Sequence, residues 1–227
     1  ARAILADLDE LVSEARGFRR PLCGPLRLGV IPTIAPYLLP RVLPAIRRRF
    51  PELRLLLREA ETARLVELAR AGKLDLLLLA LEADLADLQT LELFRDPFLL
   101  ALPKGHRLAP KSAVREADLA GEEVLLLEDG HCFREQALAL CGRAGASELG
   151  DFRASSLTTL AEMVASGIGV TLLPELAVGR RRTPLRDVDV RPFRRPPPHR
   201  TIGLAWRPTC PRKEEFLLLA EVVRSAA

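Results

Sequence analysis

The stretch LRLLLREAETARLVELARAGKLDLLLLA, residues 53–80, reads as strand, helix, strand, and that reading sets the fold. LRLLLRE (53–59) and LDLLLLA (74–80) are apolar runs of strand length. Between them TARLVELARAG (62–72) reads as a helix closed by Gly72. Just upstream, LRLGVI (26–31) alternates, with Leu26, Leu28 and Val30 facing one way, and Pro32 and Thr33 end it. A helix from about Pro36 to Phe50 follows, carrying Leu38, Leu39, Val42, Leu43, Ile46 and Phe50. Its internal Pro40 and Pro44 predict a late start or a kink. The run is therefore βαβαβ, and its nearly continuous apolar strands predict a parallel sheet covered on both faces.

The same alternation continues downstream. PFLLALP (97–103), EVLLLED (123–129), IGVTLLP (168–174) and TIGLAW (201–206) read as strands. Helices are expected at about 131–141, at SSLTTLAEMVASG (155–167), with Ser at its start and Gly at its end, and at about 212–225. The Pro- and Arg-rich segment 180–200 reads as a loop and irregular edge. Before the first strand, Ile4, Leu5, Leu8, Leu11, Val12 and Ala15 form a helical stripe, so residues 1–20 read as the end of a connecting helix broken by Gly17 and Pro21. The fold class is α/β, and 227 residues suffice for two lobes of roughly 100 residues each.

Composition narrows the function. No stretch reaches the roughly 18 uninterrupted apolar residues of a membrane span, and the charged N-terminus is unlike a secretion signal, so a cytoplasmic protein without a membrane partner is expected. The net charge of +4 is small for a nucleic-acid binder. The basic runs RRRTPLR and RPFRRPPPHR lack interleaved aromatics and read as solvated loops. Cysteines stand at 23, 132, 141 and 210 with no CxxC and no zinc-ligand spacing, so neither a metal nor another cofactor is expected. Cys23 and Cys210 lie outside every motif and read as structural or incidental.

The chemistry concentrates in LEDGHCFREQALALC, residues 127–141. Asp129 is a candidate N-cap, Gly130 permits a tight turn, and His131 and Cys132 then fall in the first helical turn. Unpaired amides and the helix dipole converge there, which favours a thiolate. Cys141 lies nine residues on, about 13 Å along a continuous helix and on the opposite face. A disulfide needs Cα atoms within about 7 Å, so the two thiols cannot join unless the helix melts. From spacing alone two readings stay open: a pair of buried small apolar residues, or a thiol switch.

A resemblance decides between them. IPTIAPYLLP, REAETARLVELARAGKLDLLLLAL, FRASSLTTLAEMVASGIGVTLLPELAV and HRTIGLAWRP resemble the effector domains of LysR-type transcription regulators along almost the whole chain. DGHCFREQALALC, with its GHC and a second Cys nine residues later, resembles the peroxide-sensing OxyR family among them. The resemblance implies two α/β lobes of periplasmic-binding-protein type, lobe I at 24–94 and 202–227 and lobe II at 95–201, with a winged helix-turn-helix that this chain lacks preceding them.

It further implies that Cys132 is oxidised by hydrogen peroxide and joined to Cys141, and that Thr33, Thr62, His131 and Arg200 line the peroxide site, supported by Gly130, Asp129 and Glu135. Glu135 stands where such proteins often carry Asp, a departure from the pattern. Taken alone, Thr33 and Thr62 would be helix caps, His131 a surface or capped histidine, and Arg200 an exposed loop cation. The implied partners are copies of the chain in a homodimer or homotetramer, hydrogen peroxide, promoter DNA through the missing domain only, and RNA polymerase as a further candidate. An effector domain binding a small organic ligand between the lobes is the alternative. A thiol peroxidase, hence an enzyme, is disfavoured because no thioredoxin-type layout is present.

Overall fold

The computed structural model describes residues 21–179 and 187–226. The connecting helix expected over 1–20 and part of the basic segment, 180–186, lie outside the described residues. The chain divides into two compact units, residues 1–94 with 201–227 and residues 95–200. Strands β4 (Gln89–Pro103) and β9 (His199–Trp206) carry the backbone from one unit to the other.

In the first unit β1 (Gly24–Val30) lies parallel to β2 (Leu53–Glu59) on one side and to β3 (Leu76–Ala80) on the other. β9 then pairs antiparallel with β3, Leu77 opposite Ala205 and Ala80 opposite Ile202. The parallel pairing expected of the βαβαβ run holds for β1, β2 and β3, and the returning strand joins them in the opposite direction. β3 is buried along its whole length, as its unbroken apolar run requires. β2 has a similar composition but is an edge strand with Leu56 and Leu57 exposed, so its run of leucines does not mean burial on both faces.

Helix α1 (Ala35–Arg49) covers this sheet with Leu38, Val42 and Ile46. It starts at Ala35, with Pro36 in its first turn, so the prolines do not delay it. Pro36, Pro40 and Pro44 fall four apart and are all exposed. The carbonyls that lose a helical N–H partner to Pro40 and Pro44 therefore face water, which limits the cost of proline inside a helix. Helix α2 (Thr62–Arg70) buries Leu65, Leu68 and Ala69, and the last helix of the unit, Lys213–Ala226, buries Phe216, Leu219, Ala220, Val222 and Val223. Trp206 and Phe216 meet with ring centroids 5.5 Å apart.

The second unit is a mixed sheet built on β4, β5 (Glu123–Leu127), β6 (Ser147–Ala154), β7 (Val170–Pro174) and β8 (Val188–Pro192). β5 is parallel to β6 and β7, whereas β4 is antiparallel to both β7 and β8. Three of its stretches were not legible as strands. β6 is SELGDFRA, β8 lies in the segment read as a loop, and β4 begins at Gln89 rather than at Pro97. Each is an edge or half-exposed stretch, where polar residues are tolerated and the apolar signature is absent. Helix α3 (Cys132–Ala144) and helix α4 (Leu157–Ala165) pack on this sheet, and a short helix α5 (Glu175–Val178) follows β7. The N-cap of α4 is Ser156, whose hydroxyl accepts from the Thr159 N–H at 3.1 Å, so the serine at its start acts as the sequence implied. No described helix is long and apolar enough to cross a membrane.

Candidate functional site: the thiol helix

β5 ends at Leu127 and the chain turns at Gly130, where φ is +96°, a backbone state that favours glycine. Helix α3 begins immediately afterwards. Its N-cap is His131, with no side-chain cap hydrogen bond, and Cys132 is its first helical residue. Asp129 therefore does not cap the helix as expected. Its side chain is 72% exposed and accepts from Arg134 Nε at 2.9 Å and Arg153 Nη1 at 2.7 Å. Glu135 is exposed in the first turn, where a carboxylate complements the helix dipole.

The helix does not loosen at Gly142. It runs through that residue and ends at Gly145, whose left-handed φ of +72° donates its N–H back to the Cys141 carbonyl. Phe133, Ala137, Leu140, Cys141 and Ala144 make the buried stripe of the helix. Cys132 is half-buried and begins on the other face, so the pair is about 13 Å apart along a continuous helix. None of the four cysteines is joined in a disulfide. Burial, reinforced by the negative charge of Glu148, pushes the Cys141 thiol up to about 11. Of these two thiols, the reachable one stands at the positive end of a helix, and the other is buried and held protonated.

Nothing in the residue pattern singles out Arg134. It is only 5% exposed, and its guanidinium donates to Glu148 twice, at 2.8 and 3.0 Å, to Asp129 and to the Leu127 carbonyl at 3.2 Å. Its hydrogen bonds to Glu148 raise its own pKa and lower that of Glu148. The first turn of α3 is thus tied to the end of β5 and to β6. Glu148 enters the site from β6, one of the strands the sequence concealed, so the partner of Arg134 was concealed with it.

Arg200 is not an exposed loop cation but a fully buried residue of β9. Its Nε and Nη2 donate to Asp96 Oδ2 at 3.0 and 2.9 Å, and its guanidinium carbon lies 5.4 Å from the centroid of the Phe133 ring. His131 is also buried. The second unit therefore brings His131, Cys132 and Phe133 onto one turn and sets Arg200 against that turn.

Thr33 and Thr62 belong to the first unit, each three residues beyond a strand end, since β1 ends at Val30 and β2 at Glu59 and these residues are paired. Both are buried. Neither is an N-cap: Ile34 caps α1 and Glu61 caps α2. The Thr62 Oγ1 has no hydrogen-bond partner among the described residues. In open α/β sheets the region beyond the carboxyl ends of parallel strands is where ligands bind, and both threonines stand there. Among the described residues no cluster of His, Cys, Asp and Glu could hold a metal ion.

Comparison with known proteins matches this architecture. Residues 19–227 match the LysR substrate binding domain family. The chain is 45% identical over 226 residues to the DNA-binding transcriptional dual regulator OxyR of Escherichia coli K12, covering 99% of this chain and 73% of that protein. The solved structure of the reduced form of OxyR superposes with a TM-score of 0.82 at 44% identity, covering 90% of this chain and 96% of the other. The oxidised form of OxyR superposes with a TM-score of 0.81 at 46% identity, with the same coverage. The chain belongs to the LysR substrate binding domain family and, within it, to the OxyR group of transcriptional regulators.

Proposed function

We propose that the chain is the regulatory part of a hydrogen-peroxide-sensing transcription factor in which Cys132 is the peroxide-reactive thiol and Cys141 its resolving partner. The observation that carries this reading is the asymmetry of the two thiols on one helix. Cys132 is half-buried at the N-terminus, where a thiolate is stabilised by converging amides. Cys141 is on the core stripe with its pKa raised to about 11.

Oxidation begins when the Cys132 thiolate attacks one peroxide oxygen. A sulfur–oxygen bond forms, the oxygen–oxygen bond breaks, and the hydroxide released takes up a proton to leave as water. Once exposed, the Cys141 thiol gives up its proton and attacks the sulfenic sulfur: the sulfur–sulfur bond forms, the sulfur–oxygen bond breaks, and the departing hydroxide takes up a proton to leave as a second water. The second step requires α3 to unwind, because the sulfurs are on opposite faces of a standing helix. In the unit of Cys132, His131 and Arg200 are the peroxide-binding groups of this reading, with Gly130, Asp129 and Glu135 supporting the turn; Thr33 and Thr62, which it also assigns to peroxide binding, stand in the other unit.

The relatives are transcriptional regulators, and the chain's part is to respond to peroxide stoichiometrically rather than to turn it over. This reading gives the described residues no promoter contact of their own. Copies of the chain assemble with one another, and the protein works in the cytoplasm, where its thiols are kept reduced.

Peptide mapping under non-reducing conditions tests the reading. One equivalent of hydrogen peroxide is expected to yield a Cys132–Cys141 link in the wild type. Cys141→Ser should stop at a Cys132 sulfenic acid, trapped by dimedone. An unmodified Cys132 after peroxide treatment would refute the assignment and favour reversible binding of an organic ligand.

A further inference from the structure

Asp96 is a buried carboxylate beside the thiol helix to which the peroxide chemistry so far assigns no task. It is 2% exposed on β4, and its two oxygens are divided. Oδ1 accepts the backbone N–H of Leu176 in α5 at 2.9 Å, and Oδ2 accepts Nε and Nη2 of Arg200 at 3.0 and 2.9 Å. A carboxylate held at both oxygens cannot rotate with its partner, so the guanidinium is pinned rather than merely neutralised.

That guanidinium also lies over the ring of Phe133, its carbon 5.4 Å from the ring centroid. Phe133 follows Cys132 directly and is itself held edge-on by Phe98, at 5.2 Å between centroids and 88° between planes. Phe98 stands two residues from Asp96 on β4, so both side chains project from the same face of one strand. β4 therefore fixes the cation with one residue and the thiol-bearing turn with the other. A fully buried Asp–Arg pair is weak evidence of stability, since apolar residues of similar volume commonly do as well. Its value lies in placing a cation.

We propose that Asp96 is a positioning residue for the peroxide reaction: through Arg200 it holds a cationic donor beside the turn that carries Cys132. The proposal rests on Cys132 being the peroxide-reactive thiol. As the sulfur–oxygen bond forms and the oxygen–oxygen bond breaks, negative charge gathers on the departing oxygen, and a donor already fixed stabilises it without reorganising. Asn at position 96 keeps an acceptor for Leu176 but loses the charge and turns an amide donor or a weaker acceptor toward Arg200.

The test compares two electrophiles on the purified chain with Cys23, Cys141 and Cys210 each changed to Ser, so that only Cys132 reacts. Hydrogen peroxide needs a donor for its leaving oxygen, whereas iodoacetamide expels iodide, a poor hydrogen-bond acceptor. Asp96→Asn is expected to slow peroxide oxidation by about tenfold or more while alkylation changes less than about twofold. Asp96→Glu, which retains the charge and the fold with a displaced carboxylate, should fall between wild type and Asp96→Asn with peroxide only. A peroxide rate unaffected in both variants overturns the proposal, and so does a parallel loss with both electrophiles, the mark of a merely structural role. Should wild-type Cys132 react with peroxide no faster than free cysteine, the sensing assignment itself falls, an outcome visible before any variant is compared.

Discussion

At the scale of single residues, the division of labour between the thiols follows from position. Cys132 begins a helix and Cys141 sits on its buried stripe, so one chemical group behaves in two ways. The raised pKa of Cys141, about 11 from an ordinary 9.0, has a consequence for pH. A thiol whose pKa is higher folded than unfolded supports the fold fully below the unfolded value, and that support is lost as pH rises toward the folded one. The reduced protein should therefore lose stability between about pH 9 and 11, and Cys141→Ser should remove that part of the loss, as read by urea unfolding across the range. In the native protein at neutral pH, iodoacetamide should label Cys132 well before Cys141. Equal labelling would show that α3 does not protect Cys141.

At the scale of the element, α3 is a helix held at its start by ions and along its length by packing. Arg134, with two bonds to Glu148 and one to Asp129, is its anchor to β5 and β6. Replacing it by Leu leaves the Glu148 carboxylate half-buried without its main partner, and breaking such a pair from one side typically costs about 3 kcal/mol or more. That cost falls on the standing helix and not on the unwound state that the proposed disulfide requires. Arg134→Leu should thus make the Cys132–Cys141 disulfide harder to reduce, lowering the redox midpoint by several tens of millivolts, since roughly 30 mV corresponds to 1.4 kcal/mol for a two-electron couple. A glutathione titration in which the variant and wild type share a midpoint would contradict this. Acid acts on the same anchor, because the pKa of Glu148 is depressed by Arg134: its contribution is present above the normal carboxylate range and is lost as pH falls through the depressed value.

For the whole molecule, the residues proposed for the peroxide chemistry are divided between the two compact units. Cys132, Cys141, His131 and Arg200 belong to one unit and Thr33 and Thr62 to the other. A switch confined to α3 disturbs the unit that contains it first. Hydrogen exchange followed before and after stoichiometric peroxide should show protection across residues 129–148 falling by roughly tenfold or more, while β1 and β3 of the other unit keep theirs. A loss spread evenly over both units would mean that oxidation unfolds the chain generally rather than releasing one helix.

How much of this was legible in the amino-acid order depended on burial. Strands buried on both faces, such as β3, and helices with a full apolar stripe announce themselves, because the hydrophobic effect writes a period into the residues it covers. The thiol helix, its tight turn at Gly130 and the opposite faces of Cys132 and Cys141 follow from local rules in the same way. Edge strands β6 and β8 leave no such period, and the antiparallel return of β9 follows from chain path rather than composition. Nor does order along the chain reveal that Asp96, 104 residues from Arg200, is its partner, or that Glu148 meets Arg134. Those pairs exist because folding removes water from charges that must then find one another, and which ones meet is decided only when the strands are laid side by side.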